Sequence, residues 1–585
     1  MNVRSRSGVL HRWVGMLGLI ALLLAACTAP GQSDNDVGDG DADHGVGDDA
    51  GDEADESADG TADDTTDDAT DPGATDPAPT QEPTLAWGPA EADLARATEI
   101  AEEMDDEELA GQVIIARYSG TDPATAAALV ETHHLAGVIL FSENIASVDQ
   151  VRQSAQAVQD AHAASGRPWP AVVSVDNEGG SVQRMSAQSG GWTSFPPFAA
   201  AGAADDHQVV SGAAQAMGIE LRASGVNTTY APVADVSIGA QDPTINMRAA
   251  GSDSQVVSRT VTSALEGFAD AGVLSALKHF PGHGALRVDS HEELPVLSAT
   301  EAELAERDLL PFQAGIEAGA PMVMMGHIAV QDWDEGVPAS LSARAYEVLR
   351  ADLGFTGVAI TDGLDMGALT ATRTSGQIAQ EALAAGADLL LTPADVAGAH
   401  EAIVVALADG SLDRGRVVEA AGRVIAMQHW QGELAERGEE VDDEDVGSGG
   451  AAAHALAAAA ITLVAGECSG SLVGERVHLS GGSEADVAAF TEAAATGGLT
   501  MVPAPEQAET SVRLIAAGGT AAGGDVAIAL DGPWHLAGAD APTRIAAHGR
   551  TSHTMAALVE VLTGQAEAPG RLGFQVDGLP ASACP

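Results

Sequence analysis

The densest set of reactive side chains is Lys278-His279-Phe280-Pro281-Gly282-His283-Gly284, followed closely by Asp289-Ser290-His291. His279 and His283 have the i, i+4 spacing of a helical zinc pair. Pro281 and Gly282 interrupt any helix there, and no Glu follows His279, so a helical His-Glu-x-x-His metal site is excluded. No Cys-x-x-Cys pair occurs, which argues against multi-thiolate zinc sites and dithiol redox chemistry. Lys278 is the one lysine in the chain. It is not a phosphate-loop lysine, because Leu277 precedes it where Gly is required. No metal and no cofactor is implied.

The elements that must position these residues are short apolar runs with Ala-rich amphipathic stretches between them. The runs are Gln112–Ala116, Gly137–Phe141, Ala171–Asp176, Thr228–Val236, Ser275–His279, Met322–His327, Gly357–Asp362 and Ala387–Thr392. Continuous apolar runs of this length suit parallel strands buried on both faces, and most of the connections are long enough for crossover helices. Eight such units predict an α/β fold, a (β/α)8 barrel, with a doubly wound open sheet as the rival. Several runs end in polar residues: Asp176, Asp235, Lys278-His279, His327 and Asp362. Barrel enzymes assemble their sites at the C-terminal ends of the strands, so these endings favour the barrel.

Taken in order, the motifs resemble glycoside hydrolase family 3 in its β-N-acetylhexosaminidase branch, in a bacterial lipoprotein form. They begin with Asp176-Asn177-Glu178-Gly179-Gly180 and Val182-Gln183-Arg184, then Ala231-Pro232-Val233-Ala234-Asp235-Val236 and Arg248. After the lysine cluster and the Asp-Ser-His triplet come Gly326-His327-Ile328, Pro338-Ala339-Ser340-Leu341-Ser342, and Thr361-Asp362-Gly363-Leu364-Asp365-Met366. The match runs over roughly 92–430. Asn177 stands where the family often has Gln, and Ser181 where it often has Arg.

The resemblance implies retaining hydrolysis of a carbohydrate substrate through a covalent glycosyl–enzyme intermediate. Asp362 matches the nucleophile, and His291 the acid/base, with Asp289 beside it. Imidazole titrates near neutrality and can give and then take a proton, and a carboxylate beside it orients the ring. Asp365 is the internal competitor of Asp362, three residues on, where helix capping is expected instead. Asp176, Arg184, Arg248, Lys278 and His279 match positions that hydrogen-bond the N-acetylated sugar. His283 and His327 are expected to be structural, and Asp235 to hold strand ends together.

The remainder of the chain speaks to location. Arg4, Arg6 and Arg12 precede an uncharged apolar run, Val14–Ala26, of the length of a signal-peptide core and too short to span a bilayer. It ends in Leu24-Ala25-Ala26-Cys27, which looks like a bacterial lipobox, so a signal peptide over 1–27 and a lipid anchor on Cys27 are expected. Residues 34–76 hold 18 acids and no arginine or lysine, so 28–90 reads as an acidic spacer that cannot bury enough surface to fold. The expected layout then runs through the catalytic barrel, 91–435, an acidic Gly-rich linker, 436–450, and a small α/β domain, 451–585. In that last part Gly564–Leu572 resembles the second domain of longer family members. That domain supplies the acid/base in the β-glucosidase branch. Here the Asp-Ser-His loop takes that part, leaving the domain a structural role.

The full chain of 585 residues carries a formal net charge of −60, so its surface repels phosphates and nucleic-acid binding through a basic patch is excluded. Cys468 and Cys584 are candidates for one disulfide in an exported chain, and the sequence leaves their pairing open. The expected activity is exo-acting release of terminal N-acetylglucosamine from peptidoglycan fragments such as muropeptides, outside the cytoplasm, with membrane contact through the lipid alone. A β-N-acetylglucosaminide phosphorylase on the same site is the alternative, as is a catalytically silent sugar-binding lipoprotein. A β-glucosidase ranks below both, because the Ser-Asp-Trp nucleophile motif is absent.

Overall fold

The computed structural model describes residues 83–290, 293–516, 519 and 522–585. Cys27, the segment 1–27, all but the last residues of the expected spacer, and His291 lie outside the described residues.

Eight parallel strands form the first sheet: β1 (Ile114–Arg117), β2 (Gly137–Leu140), β3 (Val172–Val175), β4 (Thr228–Thr229), β5 (Leu274–Phe280), β6 (Met322–Met325), β7 (Val358–Thr361) and β8 (Leu390–Leu391). Each pairs with its sequence neighbours, β1 pairs with β8, and a bridge between Ile360 and Leu389 joins β7 to β8. The ring is the expected barrel, and each of the eight apolar runs supplies one strand. The run Thr228–Val236 supplies only two ladder residues, because Pro232 has no N–H to donate. Beyond it the Ala231 carbonyl still accepts from Ala276 N–H of β5, and the chain meets that strand again at the Val233–Lys278 bridge.

Helices cross over on the outside, and their starts use many of the chain's acids. Asp122, Asp206, Asp253, Asp395 and Asp413 each accept a backbone N–H from the first turn of the helix they precede. Such caps are worth about 1 kcal/mol each and place negative charge at the positive end of the helix dipole. The apolar faces close over a core of the buried β-strand side chains and their helical partners.

The second sheet is built from β9 (Thr462–Ala465), β10 (Arg476–Gly481), β11 (Thr500–Met501), β12 (Thr510–Ile515), β13 (Val526–Ala529) and β14 (Thr543–Ala546), in the order β9-β14-β13-β12-β10-β11. All neighbours are parallel except β9 and β14. Cys468 and Cys584 are disulfide-bonded, tying the chain's last residues to the loop after β9.

Two expected linkers are folded against the barrel over part of their length. Trp87, inside the expected spacer, is buried in the barrel core. In the expected linker 436–450, Gly449 N–H donates to Glu220 at 2.8 Å. Glu220 is buried and also accepts from Thr193 N–H. A buried carboxylate needs such donors, and the linker supplies one of them. From there the helix Gly450–Ala460 packs Ala453 and Leu456 among Phe195, Phe198 and Phe268 of the barrel.

Candidate active site

The C-terminal ends of the barrel strands surround a cavity of about 400 Å³. Asp176, Arg184, Arg248, Lys278, His279 and Asp362 all line it. These residues lie up to 186 positions apart in the chain (362 − 176) and are brought together only by closure of the barrel.

Asp362 follows the last residue of β7. Its own backbone N–H donates to the Met325 carbonyl, and its Oδ1 accepts from Gly363 N–H at 2.8 Å. Burial pushes this carboxyl up, but His279, His327, the Gly363 amide and Lys278 outweigh it and hold the pKa at about 2. The group is therefore an anion throughout the physiological range. His327 steadies the turn behind it. Its Nε2 donates to the Gly363 carbonyl, while Nδ1 lies 2.8 Å from Ser340 Oγ.

Lys278 sits on β5 with its side chain 2% exposed. Its Nζ reaches Asp176 at 2.9 Å and Glu178 at 2.6 Å. Glu178 also takes Arg248 through two hydrogen bonds, from Nε at 2.8 Å and Nη2 at 2.7 Å. One fully buried carboxylate thus neutralises two cations. Burial raises the Glu178 pKa, yet Arg248 and Lys278 pull it to about 2, and Arg248 and Lys278 are held firmly protonated in return. Glu178 occurs in the motif Asp176–Gly180, but sequence reasoning gave it no role. The missed signal was electrical: buried cations with too few assigned counter-charges.

Asp235 is fully buried. It accepts from the backbone N–H of His279 at 3.1 Å and of His283 at 2.7 Å, and from His279 Nδ1 at 2.8 Å. This fixes the tautomer of His279, leaving Nε2 for whatever enters the cavity. His283 also lines the cavity and meets Ser290, with Nε2 and Oγ 2.9 Å apart. Burial lowers the His283 pKa to about 4, so it is neutral at ordinary pH.

Arg184 lines the cavity, and its buried Nε has no hydrogen-bond partner among the described residues. Asp289 is half-buried on the loop after β5, its carbonyl accepting from Glu293 N–H, and its neighbour Ser290 faces the cavity.

Asp365 departs from expectation. It caps no helix, because the following short helix starts after Met366, which makes no side-chain cap. Asp365 instead pairs with Arg117 at 3.0 Å and accepts from Thr392 Oγ1 at 3.2 Å. Arg117, which sequence reasoning did not single out, ends β1 and also pairs with Glu143 while lying over the Phe141 ring. Both Asp365 oxygens are thus engaged where the residue lines the cavity.

The chain's likeness to known proteins agrees with this arrangement. Residues 106–427 match the N-terminal domain of glycosyl hydrolase family 3. Beta-hexosaminidase A of Pseudoalteromonas piscicida is 34% identical over 47% of this chain, which spans 48% of that protein. The Beta-hexosaminidase of Stenotrophomonas maltophilia is 39% identical over 40% of this chain and 69% of that protein. Among solved structures, a family 3 β-N-acetylglucosaminidase from Paenibacillus is 27% identical, covering 82% of this chain and 99% of that one with a TM-score of 0.70. Barrel, strand-end cavity and relatives coincide, and the chain belongs to glycosyl hydrolase family 3, a family of glycoside hydrolases.

Proposed function

We propose that the protein is a retaining exo-β-N-acetylhexosaminidase that releases terminal β-linked N-acetylglucosamine. The observation that carries this reading is Asp362: an ionised carboxylate at a barrel strand end, facing a cavity lined by Asp176, Arg184, Arg248, Lys278 and His279. Asp362 attacks the anomeric carbon as the glycosidic bond breaks, forming a glycosyl ester. His291 gives a proton to the leaving oxygen, then takes one from the water that cleaves the ester, with Asp289 stabilising the charged ring. Lys278, Arg248, Arg184 and Asp176 supply charged hydrogen bonds to sugar hydroxyls and the acetamido group, and His279 Nε2 adds one more. The relatives named as β-hexosaminidases support the substrate class.

The motif ending in Cys27 supports a lipid anchor and an extracytoplasmic location, and the Cys468–Cys584 disulfide is in keeping with an oxidising compartment. A tether there places peptidoglycan fragments within reach.

The test is release of p-nitrophenol from its β-N-acetylglucosaminide by protein lacking residues 1–27, beside Asp362→Ala and His291→Ala. Activity abolished by Asp362→Ala and strongly reduced by His291→Ala is expected. Stimulation by inorganic phosphate with formation of the sugar 1-phosphate moves the reading to a phosphorylase. A folded, inactive wild-type protein refutes it.

A further inference from the structure

The loop after β4 runs from Asp235 to Asp253 and presents Thr244, Ile245 and Arg248 to the cavity. It is organised from inside by Asp242. Its Oδ1 accepts from Thr244 and Ile245 N–H, and its Oδ2 from Asn246 N–H and Ser237 Oγ, all within 3.0 Å. Ser237 Oγ in turn accepts from Gly239 N–H. The cavity face of the loop is thus wired to its outer face through one carboxylate and one hydroxyl.

The outer face is covered by the C-terminal part of the chain. A Cβ placed on Gly239 would lie 3.4 Å from the Trp534 ring and 3.7 Å from Phe574. Trp534 and Phe574 pack edge to face, 5.5 Å between centroids. At the far end of the loop Gly251 meets the chain at Gly573, where a Cβ would come within 2.2 Å of the Gly573 carbonyl oxygen. That oxygen accepts from Ser252 N–H at 2.9 Å, and Gln575 N–H donates to Ser252 Oγ at 2.8 Å. Both ends of the Arg248 loop are therefore held by 533–575, and the tail beyond is anchored by Cys584.

We propose that the C-terminal α/β part positions the substrate site, with Trp534 and Phe574 acting as a buttress that keeps the β4 loop, and so Arg248, aimed into the cavity. This rests on the reading of Arg248 as a sugar-binding residue. Trp534 touches no substrate; it acts through Gly239, Ser237 and Asp242.

The full-length chain is compared with Trp534→Ala, Trp534→Phe, Phe574→Leu and Val526→Ala. Val526 is buried in β13, in the C-terminal core away from the contact, and controls for general loosening. Trp534→Ala is expected to raise KM for p-nitrophenyl β-N-acetylglucosaminide about tenfold with kcat within about twofold, the pattern of lost binding. Trp534→Phe restores most of the affinity, and Val526→Ala lowers Tm without moving KM. Hydrogen–deuterium exchange gives a readout independent of activity: amides of 237–252 exchange faster in Trp534→Ala and Phe574→Leu. Unchanged exchange there in either folded variant overturns the buttress, as does unchanged KM in an active Trp534→Ala. An inactive wild type with faster exchange in the variants refutes the enzymatic reading and leaves the buttress standing.

Discussion

Glu178 carries the heaviest electrostatic responsibility in the site, and its neutralisation to glutamine is a sharp test of how the site is built. Glutamine keeps the shape and most of the hydrogen-bonding capacity but leaves Lys278 and Arg248 as adjacent buried cations. The Glu178 pKa falls from an ordinary 4.5 to about 2 on folding. At 1.36 kcal/mol per unit this amounts to about 3 kcal/mol of stability at neutral pH. Removing one partner of a buried ion pair costs about 3–5 kcal/mol in general, so the two routes agree. With the unfolding entropy usual for globular chains, a body of this size loses about 1 °C of Tm per kcal/mol, so a drop of about 3 °C is expected. The sign with pH is the decisive part. A depressed carboxyl pKa stabilises above the unfolded value and loses that stabilisation as pH falls through the folded one. The stability gap between wild type and Glu178→Gln is therefore full above pH 5 and closes between about pH 4.5 and 2. Denaturant unfolding at a series of pH values measures it, and a cycle with Arg248→Met isolates the pairwise term. A gap independent of pH, or a Glu178→Gln protein as stable as wild type at pH 7, would refute the shared-carboxylate account.

Three further outcomes are expected. Asp308 is buried, with burial the largest influence and Asp235 adding to it, and despite Arg307 its pKa is pushed up to about 6. Here the folded state holds the proton more tightly, so about 3 kcal/mol of stability is lost as pH rises from about 4 to above 6. Asp308→Asn should remove that loss and be the more stable protein at pH 8 in urea unfolding. At the foot of the barrel Asp388 is shared by Arg350, Arg416 and Arg423. Asp388→Asn should cost about 3–5 kcal/mol by calorimetry while KM stays put, since the cluster lies at the opposite end of the strands from the cavity. The Cys468–Cys584 bond joins residues 116 apart, and Cys468→Ser with Cys584→Ser should lower C-terminal stability by up to about 4–5 kcal/mol through regained chain entropy, read by denaturant unfolding under non-reducing conditions.

What the sequence displayed and what it hid divide along physical lines. The barrel was legible because parallel strands buried on both faces must be continuous apolar runs, and a run reads the same whether or not its partners are known. The strand-end residues Asp176, Lys278, His279 and Asp362 were legible because polar groups closing such runs need a reason to be there. Contacts that depend on fold closure were not legible. The match of Arg117 to Asp365, two residues at the ends of different strands, overrode the capping preference that local sequence suggested. The approach of Trp534 to Gly239 leaves no mark on either segment's own pattern. Glu178 was intermediate, since it stood inside a quoted motif and only a charge count of the assembled site would have singled it out.

That charge count also bears on why a chain with 86 acids and 26 basic residues commits its one lysine to the cavity. The N-acetylated sugar of the proposed function is neutral, so long-range attraction gains nothing from a cation. Short-range hydrogen bonding does: a charged donor makes bonds roughly twice as strong as a neutral one, most of all where water is excluded. A cation in a buried pocket is stable only with a carboxylate beside it, and Glu178 provides that carboxylate for Lys278 and Arg248 together. The pairing keeps both donors fixed in place before any sugar arrives, and Asp176 shares Lys278 from the cavity side. On the proposed function such a site reads hydroxyl geometry by fixed charged donors, and the acidic surface around it is no obstacle, because Glu178 and Asp176 have already balanced the charge locally.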